Sequence, residues 1–208
     1  RMGTGIMMLL PIMNPNFRNR TARWLLVLAM PFAGLAVFYS PAFQERFFYS
    51  GEGTITDVLT GNFLSFGRLE AWPSIFAEAA KKPWLGHGVG TVVEFVPTVW
   101  EEEDKPHNEY LRVFYECGII GVILFVYSMT WQITDLFRKI KDSQGITRIT
   151  FAACIMGWLA FAMFSVTDNV IIYGLFYGNL LFAMMGAAYG VASAEEQEAS
   201  RLVKGADR

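Results

Sequence analysis

Apolar runs of membrane length punctuate this chain, and one long mixed stretch separates them. Residues 24–39 are apolar, end in aromatics and follow Arg18, Arg20 and Arg23. Residues 118–134, 149–166 and 170–191 form three further apolar runs, the first entered through residues 111–115. A helix needs ~20 such residues to cross a bilayer. Residues 2–13 are apolar but shorter, and lack the charged leader and cleavage pattern of a signal peptide. They read as a span cut at its beginning, which makes the chain the C-terminal part of a longer protein. The pattern predicts an all-α polytopic membrane protein in four regions. Residues 1–40 hold the truncated span, a connection and a full transmembrane helix; 41–115 form a large, partly helical loop; 116–192 hold three transmembrane helices; 193–208 form a charged, frayed tail.

Short-loop positive charge orients the spans. Arg18, Arg20 and Arg23 are two spans away from Arg138, Lys139, Lys141 and Arg148, so both clusters share the cytoplasmic side. The 41–115 loop, Arg1 and a tight turn at Asp168-Asn169 then fall outside the cytoplasm. Within the loop, Phe38, Tyr39, Phe43, Phe47, Phe48 and Tyr49 suit the headgroup belt. Arg68, Leu69, Trp72, Ile75, Phe76 and Ala79 recur at helical spacing, with Pro73 as a kink or first-turn residue and Lys81-Lys82-Pro83 as the stop. Gly86, Gly88 and Gly90 predict a permissive turn. Pro106 suits the first turn of a helix running through His107 and Leu111 into the next span.

Composition agrees with spans plus one hydrophilic region: 53% of the 208 residues are hydrophobic, and the mean hydropathy is +0.33. A net charge of -2 argues against nucleic acid as a partner. Cys117 and Cys154 form no CxxC pair and read as small apolar filler.

Chemistry narrows to a few side chains. Arg68 and Trp72 share a helix face, where an indole can direct a guanidinium fork at a phosphate or diphosphate. On spacing alone, an Arg68 that snorkels beside Glu70 and Glu78 is the simpler explanation. His107, placed at a helix start, would stay neutral beside the positive dipole end and could take a proton from a sugar hydroxyl. Taken alone, a surface histidine capping a helix is the simpler explanation. His87, between glycines, is structural or incidental. Glu116, entering a span, is a functional candidate by its depth. The run Glu101-Glu102-Glu103-Asp104 reads as a solvated face, and no ligand spacing assigns a metal.

Three patterns follow in order: Gly67-Arg68-x-x-x-Trp72, then Pro83-Trp84-Leu85-Gly86-x-Gly88-x-Gly90, then Pro106-His107-Asn108-x-Tyr110-Leu111 with Glu116-x-Gly118-x-x-Gly121. The ordered set resembles the shared region of the O-antigen ligase and O-antigen polymerase superfamily, and Arg1-x-Gly3-Thr4-Gly5 resembles the end of that family's Ser-Arg motif. The resemblance implies a GT-C-like helical bundle in a bacterial inner membrane, with 41–115 as a periplasmic loop carrying the active site. It implies an inverting, metal-independent glycosyltransferase without a cofactor. The donor would be an undecaprenyl-diphosphate-linked glycan; the acceptor would be lipid A–core or another lipid-linked repeat unit. Arg68 would hold the diphosphate with Arg1 as a second clamp, and His107 would activate the acceptor hydroxyl or steer it toward inversion. Trp72, Asn108 and Glu116 would line the substrate site.

Two other classes compete. A flippase or transporter would carry ionisable residues inside its spans and show repeated halves, and the spans here are nearly free of charge. A non-catalytic membrane scaffold would tolerate substitution at Arg68 and His107.

Overall fold

The computed structural model describes residues 20–101, 103–172 and 177–206, and these fold into helices and turns without a strand among them. Arg1 and the 2–13 run lie outside the described residues. The chain divides into two compact units, one ending at Glu70 and the other beginning at Ala71.

The first unit holds α1 (Arg20–Phe38), α2 (Pro41–Phe47) and α3 (Ile55–Leu59). Several of the aromatics at the end of α1 and through α2 pack on one another. Phe38 meets Phe48 edge-on at 5.9 Å, and Phe47 stacks on Phe43 at 4.9 Å and on Phe63 at 5.1 Å. Phe48 is buried within this group, whereas Tyr39 and Tyr49 stay exposed. Buried Gln44 ties the turns together, donating to the Phe38 carbonyl at 2.7 Å and accepting from the Gly53 N–H at 2.6 Å. Thr54 and Asp57 close a reciprocal capping box at the start of α3.

Helix α4 (Arg68–Ala79) forms where the apolar spacing predicts it, with Pro73 inside it and a stop before Lys81. It buries Ala71, Ile75 and Ala79, the i, i+4, i+8 face of a helix. That face packs with Val92, Val96 and Tyr115 into the core of the second unit. Val92 opens α5 (Val92–Phe95), and Val96 opens the 3₁₀ turn (Val96–Thr98) that follows it.

Three long helices complete the second unit: α6 (Glu109–Asp142), α7 (Gly145–Phe164) and α8 (Gly178–Ala206). Helix α7 packs against both of the others. Helices α6 and α7 are long and apolar enough to cross a membrane. Ile123, Leu124, Tyr127 and Trp131 on α6 are exposed, an arrangement that suits lipid and not water. The last helix corrects the expected span at 170–191. Residues 170–172 are turn, with Val170 buried, and the helix begins only at Gly178. Its charged end, expected to fray, is helical to Ala206.

Helix α6 is broken. Its 34 residues would rise ~51 Å if straight, against ~30 Å for the 20 residues of α7. Yet the Glu109 N–H donates to the Ser165 carbonyl at 2.7 Å, immediately beyond α7. The bend lies at Gly118, whose φ of 65° and ψ of −166° belong to glycine alone. Breaking the helix frees backbone groups, and the turn after α4 takes them up. His87 and Gly88 donate to the Tyr115 and Glu116 carbonyls at 2.8 and 2.9 Å. Ile119 and Ile120 donate to the Pro83 and Trp84 carbonyls at 2.7 and 3.4 Å. The backbones meet so closely that a Cβ on Gly86 would lie 2.4 Å from the Glu116 carbonyl, and one on Gly118 2.4 Å from the Trp84 carbonyl. This turn is the glycine-rich one the sequence predicts, with φ of 72°, 112° and 85° at Gly86, Gly88 and Gly90.

Candidate functional site: a histidine turn over a buried charge network

The bend lays the first turns of α6 across the end of α7, and the residues just before α6 carry the site. The expected helix start at Pro106 is corrected. Helix α6 begins at Glu109, capped by the Asn108 side chain, which accepts the Leu111 N–H at 3.0 Å. His107 therefore precedes the helix, with a left-handed φ of 48°. Few side chains adopt that conformation, so surrounding bonds must hold it. The Asn169 carboxamide oxygen accepts the His107 backbone N–H at 2.8 Å. On the other side, the Trp72 indole donates to the Pro106 carbonyl at 2.6 Å.

The His107 ring is mostly buried between two carboxylates. Nδ1 lies 3.1 Å from Asp168 Oδ1, and Nε2 lies 2.9 Å from Glu103 Oε2. Trp100 meets the ring edge-on at 5.7 Å. Two carboxylates thus face the two ring nitrogens. His107 lies just outside the helix it was expected to start. Of the charged run, Glu103 thus turns inward, while Lys105 lies 2.6 Å from Asp104 and holds that carboxyl below its ordinary range.

Beneath the turn lies a network that sequence reasoning found only in part. Arg112 donates from Nε to Glu109 Oε1 at 2.7 Å and from Nη1 to Glu116 Oε2 at 2.9 Å, and its Nη2 also reaches Glu109. Both carboxylates are buried. Glu109 further accepts the Ile171 N–H at 3.3 Å. The network therefore joins the start of α6 to the turn carrying Asp168 and Asn169. Glu116 was singled out by depth; Glu109 and Arg112 were missed, although their i, i+3, i+7 spacing with Glu116 was a readable signal.

Trp72, His107, Asn108 and Glu116 thus gather in the second unit, each with a bonded partner. Arg68 opens α4 as a residue of the first unit, and its buried Nε has no hydrogen-bond partner. Arg1 lies outside the described residues. His87 is structural: its Nε2 is 3.0 Å from the Glu78 carbonyl oxygen, and its ring stacks on Tyr115 at 4.6 Å. Among the described residues, no three His, Cys, Asp or Glu side chains are grouped to hold a metal ion.

Two helices of membrane length, with a histidine-centred polar cluster just before the first of them, mark a membrane protein. The chain belongs to the O-antigen ligase family, whose match runs over residues 2–126 and so takes in Trp72, Glu103, His107, Glu116 and the break in α6, while Asp168 and Asn169 lie beyond it. It is also similar to an O-antigen ligase of Pseudomonas aeruginosa, 36% identical over 70 residues, which are 34% of this chain and 17% of that protein. The chain therefore covers only a small part of that relative. No solved structure matches it.

Proposed function

We propose that this chain is part of a polytopic, GT-C-like glycosyltransferase of the bacterial inner membrane, with the His107 cluster facing the periplasm. It transfers a glycan from undecaprenyl diphosphate to lipid A–core, as a ligase, or to another lipid-linked repeat unit, as a polymerase. The acceptor oxygen attacks the anomeric carbon with inversion, the bond from that carbon to the diphosphate breaks, and the polyprenyl diphosphate leaves. No cofactor or metal is required in this scheme.

The observation that carries the reading is His107 itself, an imidazole held on a strained turn between two acceptors. Glu103 occupies the place of the acceptor hydroxyl. When the hydroxyl displaces it, Asp168 keeps the Nδ1 proton and Nε2 accepts the hydroxyl proton. Arg68 holds the donor diphosphate, since a fork with an unpaired buried N–H suits that anion, and Arg1 serves as a second clamp. Trp72, Asn108 and Glu116 act at the substrate site, where Trp72 also fixes the Pro106 carbonyl, Asn108 caps α6 and Glu116 holds Arg112.

The test is complementation of a null strain, followed by gel analysis of lipopolysaccharide. Core lacking any attached chain in the null identifies a ligase; core with one repeat unit identifies a polymerase. Arg68→Ala and His107→Ala are each expected to leave the null pattern at normal protein level. Normal polysaccharide in both variants would contradict transfer and favour a scaffold.

A further inference from the structure

The turn that caps the break in α6 carries side chains that the glycan chemistry does not use. Trp84, Leu85 and Val89 are 69%, 74% and 81% exposed. They are displayed by a backbone hydrogen-bonded to Ile119 and Ile120 at the top of the long segment of α6. The height of that segment is set by its charges. Residues 119–137 lie between the break and Arg138, the first cation of the basic end, and that length of helix rises ~28 Å, close to the ~30 Å of a bilayer's hydrocarbon. With Arg138 at one headgroup layer, Gly118 and the turn reach the opposite edge of the hydrocarbon.

Three features fit the turn to that depth. Its exposed apolar residues continue the exposed apolar face of α6 through Ile120, Ile123 and Leu124. Backbone placed at that level must have its polar groups paired, and Pro83, Trp84, His87 and Gly88 are bonded to α6, while the Gly86 N–H donates to the Lys82 carbonyl at 3.0 Å. Exposed Lys81 and Lys82 precede Trp84, the cation-then-indole order of an interfacial anchor.

We propose that residues 82–89 form a re-entrant membrane anchor, with Trp84, Leu85 and Val89 seated among the acyl chains of the leaflet on the His107 side. Its occupant is bilayer lipid. The anchor fixes the height of the histidine turn above the membrane, because Gly88 and His87 bond the same segment of α6 that carries Glu116 and Tyr115. The inference rests on α6 crossing the membrane and not on glycan transfer.

The test uses the full-length protein with Cys117→Ala and Cys154→Ala, bearing Leu85→Cys labelled with a polarity-sensitive fluorophore. It is reconstituted in phosphatidylcholine vesicles containing lipids spin-labelled high on the acyl chain. Leu124→Cys reports on the span and Glu101→Cys on solvent. Expected is severalfold quenching at positions 85 and 124 and little at 101. Quenching at 124 but not at 85 overturns the anchor while leaving the span in place. Absence of quenching at both overturns the anchor together with the span.

Discussion

The two segments of α6 are continuous in sequence and opposite in design. From Glu109 to Cys117 the helix buries Glu109, Val113, Tyr115 and Glu116 and is laced to its surroundings by the Arg112 network. From Ile119 onward it exposes Ile123, Leu124, Tyr127 and Trp131, and its cations gather at the far end. Only Gly118 separates the two. The difference shows how one helix combines an apolar face with buried ionic groups: it breaks at Gly118 and pairs Arg112 with Glu109 and Glu116 on the near side of the break. A buried charge left alone costs far more than a paired one.

Gly118→Ala should break that arrangement most severely. An alanine there must adopt a glycine-only conformation and place its Cβ 2.4 Å from the Trp84 carbonyl. Loss of more than ~4 kcal/mol is expected, read as near-absence of monodisperse protein after detergent extraction. Gly186→Ala, with open space at its Cβ, should extract normally. A well-folded Gly118→Ala protein would show that the bend is not built by this residue.

Arg112→Leu comes next. It strands two buried carboxylates, at an expected ~3–5 kcal/mol, and thermal unfolding in detergent would show it. Leu124→Ala, in the lipid-facing segment, should stay within about 0.5 kcal/mol of the parent. Equal effects in the two variants would erase the contrast between the segments.

Much of the second unit was legible in the sequence, and the exceptions share a cause. The α4 face Ala71, Ile75 and Ala79 follows from local spacing, as does the turn at Gly86, Gly88 and Gly90. Local reasoning failed where distant residues decide the backbone. Pro106 looked like a helix start, but the Asn169 carboxamide, 62 residues away, holds His107 in a left-handed turn. Residues 170–172 looked like a span, but Glu109 accepts the Ile171 N–H and keeps them in the turn. Asp168 was visible as a turn residue, and its reach to His107 was not.

A smaller effect is expected from Trp72→Phe. It removes the indole bond to Pro106 while keeping an aromatic ring in the core. About 1 kcal/mol of stability should be lost, with a larger fall in transfer rate because the His107 turn loosens. Unchanged transfer would separate Trp72 from the site.

The smallest effect lies away from α6. The Thr54 hydroxyl, then the Thr54 N–H, hold the Asp57 carboxyl below its ordinary 3.8. A depressed carboxyl stabilises the folded state above its unfolded value and loses that contribution as pH falls through the folded value. Asp57→Asn should therefore differ slightly from the parent at neutral pH and converge with it below pH 3.8. A difference that grows on acidification would contradict the capping box.

The most direct measurement of the central claim is transfer by the purified full-length protein in proteoliposomes, with an undecaprenyl-diphosphate-linked glycan as donor and its acceptor, for the parent and His107→Ala. The expected result is a fall of at least ~100-fold in rate, with donor binding and thermal stability retained. Parent-like transfer by the His107→Ala protein would contradict the assignment of His107 as the residue that takes the acceptor's proton.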